Sequence, residues 1–273
     1  MHRLTEFQID AKNYEPTQDY IDCYFVVKNH LSVKSDNSLV WQKCYPTPPF
    51  QEHISFHLGN QSFFVRLYDI NGKLEEPDNH DGTFKAGKLF NGIACYIAVE
   101  KVEGEWVVAA DGWGLFLHED RAPDFPNDKP IHPPALVTDE KIPLNIAEYH
   151  FKAVWGVCQT LSETFPDADL YPPNYYRSAL PHIIMSRPNK AYDEAFIIFT
   201  YRSPKEAAEN KKAKLDLDKS IAHLMDFGFK TYVLNVVLFS EDELENKTSE
   251  IIPLHRGEEY IATYEKFEDL GLI

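Results

Sequence analysis

A chain of 273 residues can bury a substantial core, and with 44% apolar and 26% charged residues it has the make-up of a folded soluble protein. Its formal charge is −16. A surface of that sign repels phosphate backbones and anionic lipid, so neither nucleic acid nor a membrane is expected as a partner.

The first thirty residues hold no uninterrupted apolar h-region and no cleavage-like site. Apolar stretches such as 195–199 and 236–239 are far too short to span a bilayer. Cys23, Cys44, Cys95 and Cys158 lie far apart with no C-x-x-C pair. That spacing suits reduced structural thiols, and the expected location is cytoplasmic.

In chain order, the N-terminal half reads as strands. Residues 21–33 are β-branched and aromatic, 53–58 and 62–70 follow, and Asn71-Gly72 has the form of a two-residue hairpin turn. A second meander takes 93–102, a turn at Glu103-Gly104, 105–110 and the Gly-rich bend "DGWG" at 111–114. No helix is expected before residue 120.

Residues 122–143 carry six prolines and no helical period. They read as an extended surface connection between a strand-rich region (1–121) and an α/β region (144–273).

Beyond it the periodicity changes. Ala147, His150, Phe151, Val154, Cys158, Leu161 and Phe165 mark one face of a helix over 145–165. A strand is expected at 180–185, and residues 195–201 and 231–239 are apolar on both faces. Between those last two, Ser203-Pro204-Lys205-Glu206 starts a helix that Gly228 stops, burying Ile221, Leu224 and Met225. Strand, helix and strand of this kind form a parallel crossover. Ser240 and Glu243 read as a second capping box, and a terminal helix over 258–270 would present Tyr260, Tyr264 and Phe267. The expected fold is α+β, an antiparallel N-terminal meander followed by an α/β layer with a β-α-β unit.

Four places bear on chemistry. "GTFKAGKL" (82–89) imitates a phosphate-binding loop. Its preceding segment "LEEPDNHD" carries four acids, however, and Leu89 cannot ligate magnesium, so it is read as a chance match. His53, His57, His80 and Asp81 are candidate metal ligands for a metal-assisted hydrolase. His53 and His57 share one face of a strand about 13 Å apart, and their plainer role is as polar residues on a half-exposed sheet. His150, on an apolar helix face, reads as a core histidine rather than a base, and His118-Glu119-Asp120 ends the second meander.

Finally, the carboxyl ends of two parallel strands would gather Tyr201, Arg202, Ser203, Ser240, Glu241 and Asp242 around a cleft for an anionic ligand. The plainer reading pairs Arg202 with a neighbouring acid. No motif names a cofactor. With 18 Phe, 15 Tyr and 4 Trp, and ten acids against three bases from residue 241 on, the leading expectation is a non-catalytic acidic protein. It would bind and neutralise a basic protein partner, as an inhibitor or immunity factor does.

Overall fold

The computed structural model describes residues 16–44, 53–74, 81–171, 173–174, 180–209, 212–241, 243, 251–264 and 267. The chain divides into two compact units at residues 142 and 143. The fold is α+β with a strand-rich N-terminal region.

The first unit opens with helix α1 (Gln18–Lys34), where the sequence suggested a strand over 21–33. The β-branched and aromatic content was the misleading signal; the spacing was the true one. Tyr20, Cys23, Val27 and Leu31 recur at three- and four-residue steps, and all four are buried. Thr17 caps the start by accepting the Tyr20 amide at 3.3 Å. Burying Val27 and Leu31 contributes roughly 1.5–3 kcal/mol each, which outweighs the few tenths by which β-branching disfavours helix.

Strands β1 (Val40–Cys44), β2 (His53–Leu58) and β3 (Gln61–Asp69) pair antiparallel. The next step is not a hairpin. Gly72 does take a positive φ of 63° and donates to the Asp69 carbonyl, yet the turn is built around the Asp69 side chain. One carboxylate oxygen accepts the Asn71 amide at 2.9 Å; the other accepts Lys73 and Leu74 at 2.8 and 3.0 Å. Such an Asx turn redirects the chain instead of folding it back. Helix α2 (Asp81–Leu89) follows, and β4 (Ile93–Val102) returns parallel to β3, from Phe63 opposite Ile93 to Asp69 opposite Val99. The first unit therefore contains a parallel crossover, and the meander is broken at that point.

"GTFKAGKL" is the body of α2. Its glycines are explained by packing: a Cβ on Gly87 would lie 2.9 Å from the Ala94 Cβ, and one on Gly92 would lie 2.6 Å from the Phe64 ring and 2.9 Å from the Ser62 carbonyl. The helix closes with Asn91 at φ 46° and the Gly92 amide donating to the Gly87 carbonyl at 2.7 Å.

The β4–β5 hairpin turns at Glu103-Gly104, both at positive φ, into β5 (Glu105–Val108). Strands β6 (Leu115–Leu117) and β7 (Pro130–Ile131) complete a sheet ordered β1-β2-β3-β4-β6-β7, with β5 also on β4. The proline-rich stretch thus contributes a strand and then a 3-10 turn, Pro133–Leu136. It is tied to the first unit, since Asp128 accepts the Tyr96 hydroxyl at 2.9 Å and Phe125 packs edge-on to Phe116.

In the second unit, α3 (Ile146–Thr164) runs as expected. A capping box of Asn145 with Glu148 starts it, and Ala147, His150, Val154, Cys158 and Leu161 are buried. The sheet is ordered β12-β11-β10-β9-β8. Strands β8 (Asp169–Leu170) and β9 (Ile183–Ser186) pair antiparallel, β9 pairs antiparallel with β10 (Glu194–Tyr201), and β10 lies parallel to β11 (Lys230–Ser240). Helices α4 (Pro204–Glu209) and α5 (Lys212–Asp226) form the crossover. Gly228 ends it at φ 86°, with the Phe229 amide donating to the Leu224 carbonyl. Met225, expected inside, is 61% exposed, whereas Leu224 is buried. Where the terminal helix was expected over 258–270, Tyr260–Thr263 is instead strand β12, antiparallel to β11, and residues 265, 266 and 268–270 lie outside the described residues. There the edge of β11 offers a full row of hydrogen bonds that a lone helix turn would leave unmet.

The close approach at Gly92 yields a test. Gly92→Ala forces either the Phe64 ring or the Ser62 backbone to move, and we expect a loss of about 1–3 kcal/mol in urea unfolding at neutral pH.

Candidate functional site

The second unit brings the expected cleft residues to the carboxyl ends of β10 and β11, since Tyr201 stands opposite Val237 in the parallel register. Tyr201 is buried. Ser203 caps α4 by accepting the Glu206 amide at 3.1 Å, and Glu206 reaches back to the Arg202 amide at 2.9 Å. Ser240 and Glu243 form the second capping box, with amide-to-side-chain bonds of 2.7 and 3.1 Å. Glu241 is exposed, and Asp242 lies outside the described residues.

The Arg202 guanidinium sits at the centre of this group and is extensively engaged. One terminal nitrogen donates to the Leu238 carbonyl. The other donates to both Glu243 carboxylate oxygens, at 3.0 and 3.1 Å, and to the Ile252 carbonyl. Glu243 also accepts the Ile252 amide at 2.9 Å. Arg202 lies over the Tyr149 ring, 5.4 Å from its centroid, and the Tyr149 hydroxyl accepts the Leu254 amide. Arg202 and Glu243 thus lace the segment around residues 252–254 to the strand ends. Burial alone would push the Glu243 carboxyl up. The Ser240 and Ile252 amides and the Arg202 charge outweigh it and hold the carboxyl below its ordinary value.

Two further guanidiniums in this unit are paired in the same way. Arg187 meets Glu194 through two nitrogens, one at 2.7 Å, with Glu194 fully buried and also accepting the Tyr232 hydroxyl at 3.3 Å. Arg256 donates to Glu148 at 2.6 Å, both buried.

The expected metal ligands are only partly described. His80 lies outside the described residues, and for His53 and Asp81 the backbone alone is described. The β1–β2 and β2–β3 registers run without a bulge through β2, so positions 53 and 57 stand about 13 Å apart along it. His57 Nδ1 lies 2.9 Å from the Ser62 hydroxyl. Among the described residues no three His, Cys, Asp or Glu side chains converge as a metal site, and no helix is long and apolar enough to cross a membrane.

Sequence reasoning missed two groupings. His150 meets His182 edge-to-face at 4.5 Å between ring centroids; His182 Nδ1 accepts the Ile198 amide at 2.8 Å, and His150 Nδ1 lies 3.1 Å from the Thr200 hydroxyl. His182 falls within the strand expected at 180–185, one residue before β9 begins at Ile183, and no motif marks it as a partner for His150. In the first unit, Phe84 and Lys88 of α2 line a groove of about 650 Å³ together with His118, Glu119 and Asp120. The sequence had flagged both stretches separately, and only the β3-α2-β4 crossover brings them together.

No protein-family model, no curated protein and no solved structure matches this chain.

Because the Glu243 carboxyl is held down, its contribution is present above its ordinary value of 4.5 and is lost as pH falls through its lower folded value. Glu243→Gln should cost about 3 kcal/mol at pH 7. The gap between variant and parent should begin to narrow as the pH falls below 4.5 and close once it has passed the lower folded value. Urea unfolding across pH measures both, and an apolar double replacement, Arg202→Met with Glu243→Leu, should not recover the loss, because the Leu238 and Ile252 carbonyls and the Ser240 and Ile252 amides would lose their partners.

Proposed function

We propose that this chain is a non-catalytic binding protein that takes a basic protein partner and neutralises it, as an inhibitor or immunity factor does. The observation that supports this reading is the disposition of charge. Arg187, Arg202 and Arg256 each meet a glutamate of their own unit, with guanidinium side chains at most 13% exposed. These pairs are neutral, so the net −16 is carried by the remaining side chains. Each pair withdraws one base together with one acid, so the acid excess of the sequence is left to the other side chains. Such a surface raises the encounter rate with a cationic protein and makes binding depend on salt.

The reading of Arg202 as an anion-binding residue has less support, because Glu243 already neutralises its charge at 3.0 Å. The metal-assisted reading would need one ion to be shared by histidines about 13 Å apart on β2.

Capture on the immobilised chain at low salt, followed by a high-salt wash, should yield one stoichiometric basic protein. Its own activity should fall when it is recombined with the chain. Its affinity should weaken at least about tenfold between 50 and 500 mM salt. A partner of acidic charge, or binding indifferent to salt, would overturn the reading.

A further inference from the structure

The groove beside α2 is open to solvent and large enough to admit a small molecule. Its volume of about 650 Å³ falls within the roughly 300–1,000 Å³ that small ligands occupy. Phe84, Ile93 and Leu117 give it an apolar lining, with the buried imidazole of His118 lying edge-on to Phe84 at 6.1 Å. Gly87 lets the helix end approach Ala94 at the start of β4, and Gly92 lies against Phe64 and Ser62 of β3, so an added Cβ at either would clash. The backbone side of the groove is therefore fixed before any ligand arrives.

The charges are what select the occupant. Lys88, in the last turn of α2 where the helix dipole favours a cation, extends along the groove with its ammonium 4.2 Å from the Phe84 ring centroid. Of the two carboxylates, Glu119 is met by the Arg121 guanidinium at 3.0 Å, while Asp120 is exposed at the rim. One cation and one anion thus flank an apolar lining. A simple cation would be repelled by Lys88 and a simple anion by Asp120; a molecule carrying both charges with an apolar body satisfies both.

We propose that this groove binds a small zwitterion with an apolar body, an aliphatic or aromatic amino acid or a short peptide of the same kind. Lys88 takes its carboxylate and Asp120 its ammonium. Lys88 and Asp120 are both exposed, so replacing them should leave the fold intact.

The test is titration of the ¹⁵N-labelled full chain with L-leucine and L-phenylalanine, their N-acetyl and carboxamide derivatives, and leucyl-phenylalanine, with affinities from calorimetry. Amide shifts should be confined to the α2 end, the start of β4 and residues 118–120. Blocking either end of the amino acid should weaken binding about tenfold, the effect of one charged contact of about 1.4 kcal/mol. Lys88→Ala should weaken the free amino acid by the same factor yet leave the carboxamide unchanged. Asp120→Asn should do so for the free amino acid and not for its N-acetyl form. Tighter binding of the dipeptide or of the single amino acid supports the site and names the source. Equal affinity for free and blocked forms, or no shifts in the groove up to about 10 mM ligand, overturns the proposal. Neither result bears on capture of a basic protein.

Discussion

Two parallel strands cannot be joined by a tight turn; the chain must cross over the sheet, and a helix is the usual way to do so. This constraint organises both units. In the first, β3 and β4 lie side by side and α2 carries the chain from one to the other. In the second, β10 and β11 do the same through α4 and α5. Among the described residues every other strand pairing is antiparallel. The places where side chains gather follow directly. The Arg202 group lies at the carboxyl ends of one parallel pair, and the Lys88 groove lies at the amino end of β4, where its crossover helix ends.

The two ends are used differently. At the carboxyl ends of β10 and β11, where an α/β sheet ordinarily receives a ligand, the chain's own Arg202, Glu243 and Ile252 fill the space with hydrogen bonds. A guanidinium has five donors in a fixed fork. Here it meets the Glu243 carboxylate and the backbone carbonyls of Leu238 and Ile252. The arrangement is structural chemistry placed where binding chemistry is usual. At the amino end of β4, by contrast, Lys88 and Asp120 stand in solvent beside an apolar lining.

How much of this was legible in the sequence depended on which signal was local. The crossover in the second unit could be read because both of its strands are apolar on two faces and Ser203-Pro204 and Gly228 mark the helix ends. The crossover in the first unit was hidden by Asn71-Gly72, whose residues fit a hairpin turn. Only the Asp69 carboxylate, bonding to three amides, shows that the turn serves another purpose. Helix α1 was mistaken for a strand because composition was weighed above the spacing of Tyr20, Cys23, Val27 and Leu31. Strand β12 could not have been foreseen from its own residues, since its shape is set by the free edge of β11. For the sites, the strand-end residues around Arg202 could be grouped because they sit at element ends. The joining of "GTFKAGKL" to His118-Glu119-Asp120 depends on sheet order, which no short stretch encodes.

The thiols add a last consequence. Cys23 and Cys95 are buried in the first unit and Cys158 in the second, and burial pushes the Cys23 thiol up to about 12. A buried thiol reacts with an alkylating reagent only when its surroundings open. Mass spectrometry of the modified peptides would therefore time the opening of each unit on its own, within one intact chain. The protein carries internal clocks for both halves, with no label added.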